Sequence, residues 1–254
     1  MLNRKQLKAE AKTIIKGAAV SAYVFSFIFI VISWVISLLS EFITGATAAD
    51  LSQLLGREIS FPTLGLSPMM VTFISILLAL ISQILSAGYV IYHQGVRHGK
   101  TMPYATLFDG FTFVGKIIIL KILVFAYTFL WSLLFVIPGI VAAYRYRFAL
   151  YNLCENPQLS PSEALRMSKA QTRGYKWELF KLDLSFLGWS ILCVLTLEIL
   201  SIWLMPYIQQ TDIGFFEESK RRSGVGYMPT GDGQFHRDDR FDSNEEPRSY
   251  DPER

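Results

Sequence analysis

Residues 131–189 constrain the fold more than any other part of the chain. An apolar run breaks at Pro138-Gly139, resumes, and then carries Arg145 and Arg147 before Asn156-Pro157 ends it. Ser160-Pro161-Ser162-Glu163 follows. Ser160 suits a helix N-cap, Pro161 suits the first helical position, and Glu163 stands where a capping box places its acid. Arg166, Lys169 and Arg173 then recur at steps of three and four, which puts them on one helical stripe. Another apolar run begins at Leu179. This order predicts a polytopic membrane chain with a basic cytoplasmic layer.

The rest of the chain extends that reading. Apolar runs at 18–39, 69–92 and 114–137 lie near the roughly 20 residues that a helical crossing needs. The run at 140–154 is shorter. The region 179–216 has two readings: one span at 184–205, or a turn near Leu197-Glu198 that makes two short spans, 181–196 and 200–216. The expected fold is therefore an all-α transmembrane bundle of six spans, with five as the alternative. The first run has a basic start, and Ala46-Thr47-Ala48 resembles a cleavage site. Signal h-regions run about 7–15 residues, so this longer run is expected to remain as an anchor.

Charge is distributed unevenly. Charged residues are 18% of the chain, below the roughly 25% of a typical soluble domain. The tail 217–254 holds 10 acids and 7 bases; taking these from the chain's 21 and 24 leaves 11 acids and 17 bases for residues 1–216. That basic excess suits anionic lipid headgroups. The bases adjoin apolar spans and do not interleave with aromatics on a polar face, so nucleic acid is not an expected partner. Lys5, Lys8, Lys12 and Lys16 form one stripe, and Leu7, Ala11, Ile14 and Ile15 form another. Residues 1–17 thus read as a basic amphipathic helix on the membrane surface, matched by a second at 161–173. Residues 102–111 read as interfacial. Basic residues flank the N-terminus, 93–116 and 155–181 but not 40–68, which places both termini in the cytoplasm of a cell-membrane protein. The tail 217–254 lacks apolar periodicity and is expected to be disordered.

The span at 114–137 includes Lys116 and Lys121, and the run at 140–154 carries Arg145 and Arg147. With a rise of about 1.5 Å per residue, Lys121 lies roughly 10 Å below the cytoplasmic edge. Counted from an outer turn at Pro138-Gly139, Arg145 and Arg147 lie in the inner half of a core about 30 Å thick. Asp183 is the nearest candidate counter-charge. Intramembrane charge costs about 2.5–3.5 kcal/mol per residue on insertion scales and normally finds a partner or a polar cavity. Lys121, Arg145, Arg147 and Asp183 therefore form a candidate layer. It reads either as a structural ion pair with snorkelling arginines or as a site for lipid phosphate or an anionic substrate.

Catalytic patterns are weak. His93 and His98 are five apart and share no helix face, and His236 is in the tail. No HExxH, GxSxG or phosphate-binding lysine loop occurs. Cys154 and Cys193 have no metal-type spacing. No enzyme activity, cofactor or metal is expected. Tyr144, Tyr146 and Tyr151, with Trp131, Trp177, Trp189 and Trp203, read as interfacial belt residues.

The stretches WSLLFVIPGIVAAYRYRFALYNL, ENPQLSPSEALRMSKAQTRGYKWELFKLDLSFLGW and WLMPYIQQ, with the opening LNRKQLKAEAK, resemble the DUF975 family over about residues 1–218. The resemblance implies a multi-pass membrane protein of unassigned function, of the kind found mainly in Gram-positive bacteria of the Firmicutes. It also implies a hairpin near the end, because the family tends to carry a Gly-rich break before WLLPY-like sequence. Here the stretch 196–201 has no glycine, and nothing carries over onto the long charged tail.

The leading expectation is a non-enzymatic accessory protein that organises membrane lipids, through their anionic headgroups, or partner proteins. A second copy of the chain is among the partners considered. The alternative is a small transporter or permease for an anionic substrate or lipid, built on the charged layer and the Pro138-Gly139 break.

Overall fold

The computed structural model describes residues 4–44, 66–196 and 198–226. Most of those residues are helical, with no strand among them. In chain order the elements are α1 (Arg4–Gly17), α2 (Ala22–Thr44), α3 (Pro68–Arg97), a 3₁₀ segment (Tyr104–Phe113), α4 (Val114–Leu134), α5 (Val136–Arg145), α6 (Ala149–Glu155), α7 (Pro161–Gln171), α8 (Lys176–Leu195) and α9 (Ser201–Ser223).

Three of these, α2, α3 and the continuous 3₁₀–α4 stretch from Tyr104 to Leu134, are long and apolar enough to cross a membrane. Only 11–17% of their most apolar windows is buried inside the molecule. In water such surfaces would turn inward; here they stand outward, as the side chains of a lipid-facing helix do. The run expected to span at 140–154 is broken into α5 and α6 by a turn at 146–148. Helices α8 and α9 have the length of a span but carry several charges each. Three apolar helices are thus in keeping with a membrane protein, without fixing six spans.

Local sequence explains several boundaries. Ser67 caps α3 through a bond from the Met70 N–H, with Pro68 at its start. Ser160 and Glu163 form the full capping box of α7: the Glu163 N–H donates to Ser160 Oγ at 3.2 Å, and the Ser160 N–H donates to Glu163 Oε2 at 2.8 Å. The break between α4 and α5 falls at Phe135, extended at φ −163° and ψ 154°, three residues before the expected Pro138-Gly139. Pro138 instead sits in the first turn of α5, where a missing N–H costs nothing because that group has no intrahelical partner anyway. Gly139 allows the close return of α5 onto α4, since a Cβ there would strike the side chain of Ser132.

Antiparallel pairs build the bundle. Phe25 of α2 stacks on Tyr92 of α3 with ring centroids 3.6 Å apart, and Ser26 and Tyr89 share a hydrogen bond of 2.8 Å. The 3₁₀ segment packs on α3, where Gly88 leaves room for the Leu107 carbonyl. It buries Thr106, Leu107 and Gly110, so residues expected to be interfacial are partly core. The chain reverses at 196–200, and Phe186 of α8 meets Tyr207 of α9 edge to face at 5.5 Å. Glu198 takes a left-handed backbone at φ 63°, the conformation that glycine tolerates best. Its carboxylate accepts a bond from the Trp34 indole at 3.0 Å.

One end of the bundle gathers many helix termini. Arg97 at the end of α3 pairs with Glu10 of α1 and with Glu217 of α9, and Lys220 of α9 pairs with Glu155 at the end of α6. Helix α9 runs on to Ser223 and buries Phe215, Phe216, Ser219 and Lys220. The polar tail expected from 217 therefore starts later, and residues 227–254 lie outside the described residues.

Candidate functional site

The turn at 146–148 aims Arg147 into the space between α8 and α9. There its guanidinium donates to Asp183 Oδ2 at 2.6 Å and to Asp212 Oδ2 at 2.7 Å. The Tyr144 hydroxyl donates to the same Asp183 oxygen at 2.8 Å. One cation thus ties α5–α6, α8 and α9 together, with both sides of its planar fork occupied. Asp212 is a partner that the sequence reading missed. It sits among Gln210, Thr211, Ile213 and Gly214 in a stretch taken for the last span, and no local pattern links it to a residue 65 positions earlier.

The expected layer is divided. Arg145 ends α5, and the turn after it separates the two arginines. Its guanidinium lies 5.8 Å from the Trp131 ring, and its carbonyl accepts from Ser168 and Thr172 of α7. Trp131 is ten residues beyond Lys121 on α4, or roughly 15 Å along the helix. Arg145 and Lys121 therefore do not converge.

Lys121 and Arg147 do share a cavity, of about 860 Å³. Lys121, Val124, Phe125 and Thr128 present one face of α4 to it; Gln83 and Ser86 come from α3, and Gln209 from α9. Most of the wall is apolar. Arg147 reaches this space already paired. Lys121 has no hydrogen-bond or ion-pair partner among the described residues, and the Gln83 amide likewise makes no hydrogen bond there. Phe125, 70% exposed, stands at the rim.

The two basic stripes differ. The helix expected over 161–173 ends at Gln171, so Arg166 and Lys169 are exposed on α7 and Arg173 is exposed in the turn just after it, while Ala164, Leu165, Ser168 and Gln171 are buried beneath. On α1, Lys5, Lys12 and Lys16 are exposed, but Lys8 is half-buried. Its ammonium donates to Ser185 Oγ at 2.8 Å and lies 4.0 Å from the Phe186 ring centroid. Burial first, and then the charges of Arg4 and Lys12, push Lys8 below its usual pKa. Helix α1 is thus docked on α8 and α9 rather than set apart from the bundle.

A polar seam lies under α7. Asn152 and Gln171 exchange two amide bonds of 2.9 Å, and Gln171 also donates to the Val225 carbonyl. Gln210 donates to the His93 carbonyl at 2.9 Å and sits 3.1 Å from its Nδ1. Tyr151, expected at a belt, is buried against Phe148 and Phe216. Among the described residues no three His, Cys, Asp or Glu side chains group as a metal would require.

The model of a family described as "Protein of unknown function (DUF975)" matches residues 133–223. The match runs from the end of α4 through α9 and contains Arg147, Asp183, Asp212 and the α7 stripe; Lys121 lies outside it. No curated protein and no solved structure matches the chain.

Proposed function

Because the chain belongs, through residues 133–223, to the DUF975 family, which carries no assigned function, we propose a role from its own surface: a non-enzymatic membrane accessory protein that gathers anionic lipid. The observation that carries this reading is the α7 face. Arg166 and Lys169 are exposed on it and Arg173 in the turn just after it, and the capping box and the buried seam beneath hold that helix against α6 and the end of α9. Exposed Lys5, Lys12 and Lys16 on α1 add to the same sign of charge. By the positive-inside tendency this face lies on the cytoplasmic side with both termini. Each cation near an anionic leaflet contributes on the order of 1 kcal/mol, so six of them select strongly for acidic headgroups without any enclosed site.

Spin-labelled lipids in reconstituted bilayers test this directly. The full chain is expected to enrich phosphatidylglycerol over phosphatidylcholine at its boundary, and salt is expected to weaken the preference. The triple variant R166Q/K169Q/R173Q is expected to lose most of it. An equal boundary for both lipids in the unmodified chain would remove the proposal.

A further inference from the structure

We propose that the open cleft beside Lys121 is a separate site for one amphiphile carrying a single negative charge, such as an acidic lipid with a phosphodiester headgroup. The inference rests on the membrane reading and adds a ligand class to it. Two cations border the cavity, and the structure treats them differently. Arg147 is bonded to Asp183 and Asp212. Lys121, in the middle of an apolar helix, has no acid, hydroxyl or carbonyl partner among the described residues. Within the hydrocarbon layer a half-buried ammonium is relieved by an anion or by water brought to it. The Gln83 amide, also without a bond, lines the same space and supplies a neutral donor to it.

The wall decides what kind of anion fits. Phe29, Leu120, Val124 and Phe125 make it largely apolar, and its volume of about 860 Å³ lies within the range of small-molecule sites. A free phosphate would lose its hydration to this wall and gain one cation. An amphiphile gains the same cation and buries hydrocarbon as well. Lys121 offers one ammonium, and the Arg147–Asp183–Asp212 cluster nearby holds one carboxylate more than its cation balances, which favours a singly charged phosphodiester or carboxylate over a doubly charged phosphomonoester. Exposed Phe125 at the rim puts the mouth on the lipid-facing side, where such a molecule already resides.

Native mass spectrometry of the full chain in neutral detergent tests the site, with thermal unfolding alongside. Phosphatidylglycerol is expected to leave one lipid retained at activation energies that strip phosphatidylcholine. Lys121→Gln should weaken that retention roughly tenfold or more, the scale of a lost charged hydrogen bond, and Lys121→Arg should keep it. Val124→Trp fills the cavity, keeps the ammonium, and should also lose the lipid. Without lipid, Lys121→Gln should be no less stable than the unmodified chain, whereas a structural lysine would lower its stability. Oleate separates carboxylate from phosphodiester recognition, and both fall within the proposal. Glycerophosphoglycerol, the same phosphodiester without acyl chains, binding as well as the lipid would place the recognition in the headgroup alone and overturn the amphiphile assignment. Equal retention of phosphatidylglycerol by the unmodified chain, K121Q and V124W would overturn the site. The α7 triple variant should retain the single lipid, and K121Q should keep the boundary preference, so the two proposals fail separately.

Discussion

Arg147 and Asp212 meet at 2.7 Å across 65 residues of sequence, and the same guanidinium holds Asp183 at 2.6 Å on its other side. Removing this cation leaves two carboxylates facing each other in a poorly solvated place. Arg147→Met is expected to lose about 3–5 kcal/mol of stability, the range for breaking a buried pair from one side. Adding Asp183→Asn and Asp212→Asn to it should restore most of that loss. Thermal unfolding in detergent measures both, and an unshifted midpoint for Arg147→Met would show that the charges do not hold the bundle.

Asn152 and Gln171 satisfy each other, so each single change leaves a buried amide without its partner. Asn152→Leu is expected to cost about 1–3 kcal/mol. The double variant with Gln171→Leu should cost less than the sum of the two single changes. A double-mutant cycle reads this coupling, and strict additivity would contradict the reciprocal pair.

Glu163 receives bonds from both the hydroxyl and the backbone N–H of Ser160, which hold its pKa below the ordinary carboxylate value. A depressed folded value means that Glu163 stabilises the helix fully above its unfolded pKa, about 4.3. That contribution fades as pH falls through the lower folded value. The protection factors of the α7 amides, referred to the intrinsic exchange rate at each pH, should therefore fall on acidification in the unmodified chain. The Glu163→Gln variant should start less protected at neutral pH and change less with acid. Parallel pH profiles would show that the box does not govern α7.

Glu198 occupies a left-handed conformation that a side chain with a Cβ adopts at a cost of roughly 1–2 kcal/mol. Both Glu198→Ala and Glu198→Gly lose the bond to Trp34, but only glycine relieves the backbone. The glycine variant is expected to unfold at the higher temperature of the two, by about 1 kcal/mol of stability. The opposite order would mean that the turn does not require this backbone in solution.

Much of the helical framework was legible because it follows local rules. The apolar runs gave the three long helices, and Ser160-Pro161-Ser162-Glu163 gave the start of α7. Pro138 signalled a break but not its position, since proline fits inside a first helical turn as well as before one. Gly88 and Gly139 carry no periodic signal; each is explained by a neighbour, the Leu107 carbonyl and the Ser132 side chain. The candidate site was harder to read. Depth counted along two helices set Arg145 beside Lys121, whereas a three-residue turn redirected the chain and left Arg147 there alone. Lys8 belonged to a convincing surface stripe, yet Ser185 and Phe186 drew it inward.

Sequence alone determined the parts of this protein that depend on periodicity and capping: where the long apolar helices run, where α7 begins, and that Arg166 and Lys169 share one of its faces. Those properties arise from residues three or four apart on one turn of helix. Only the tertiary structure decided the fate of the charges. Arg147 is held between Asp183 and Asp212, while Lys121 is left facing a cavity. Whether a charge finds its partner depends on distances of a few ångström between segments 36 and 65 residues apart, and no local pattern encodes where such segments meet.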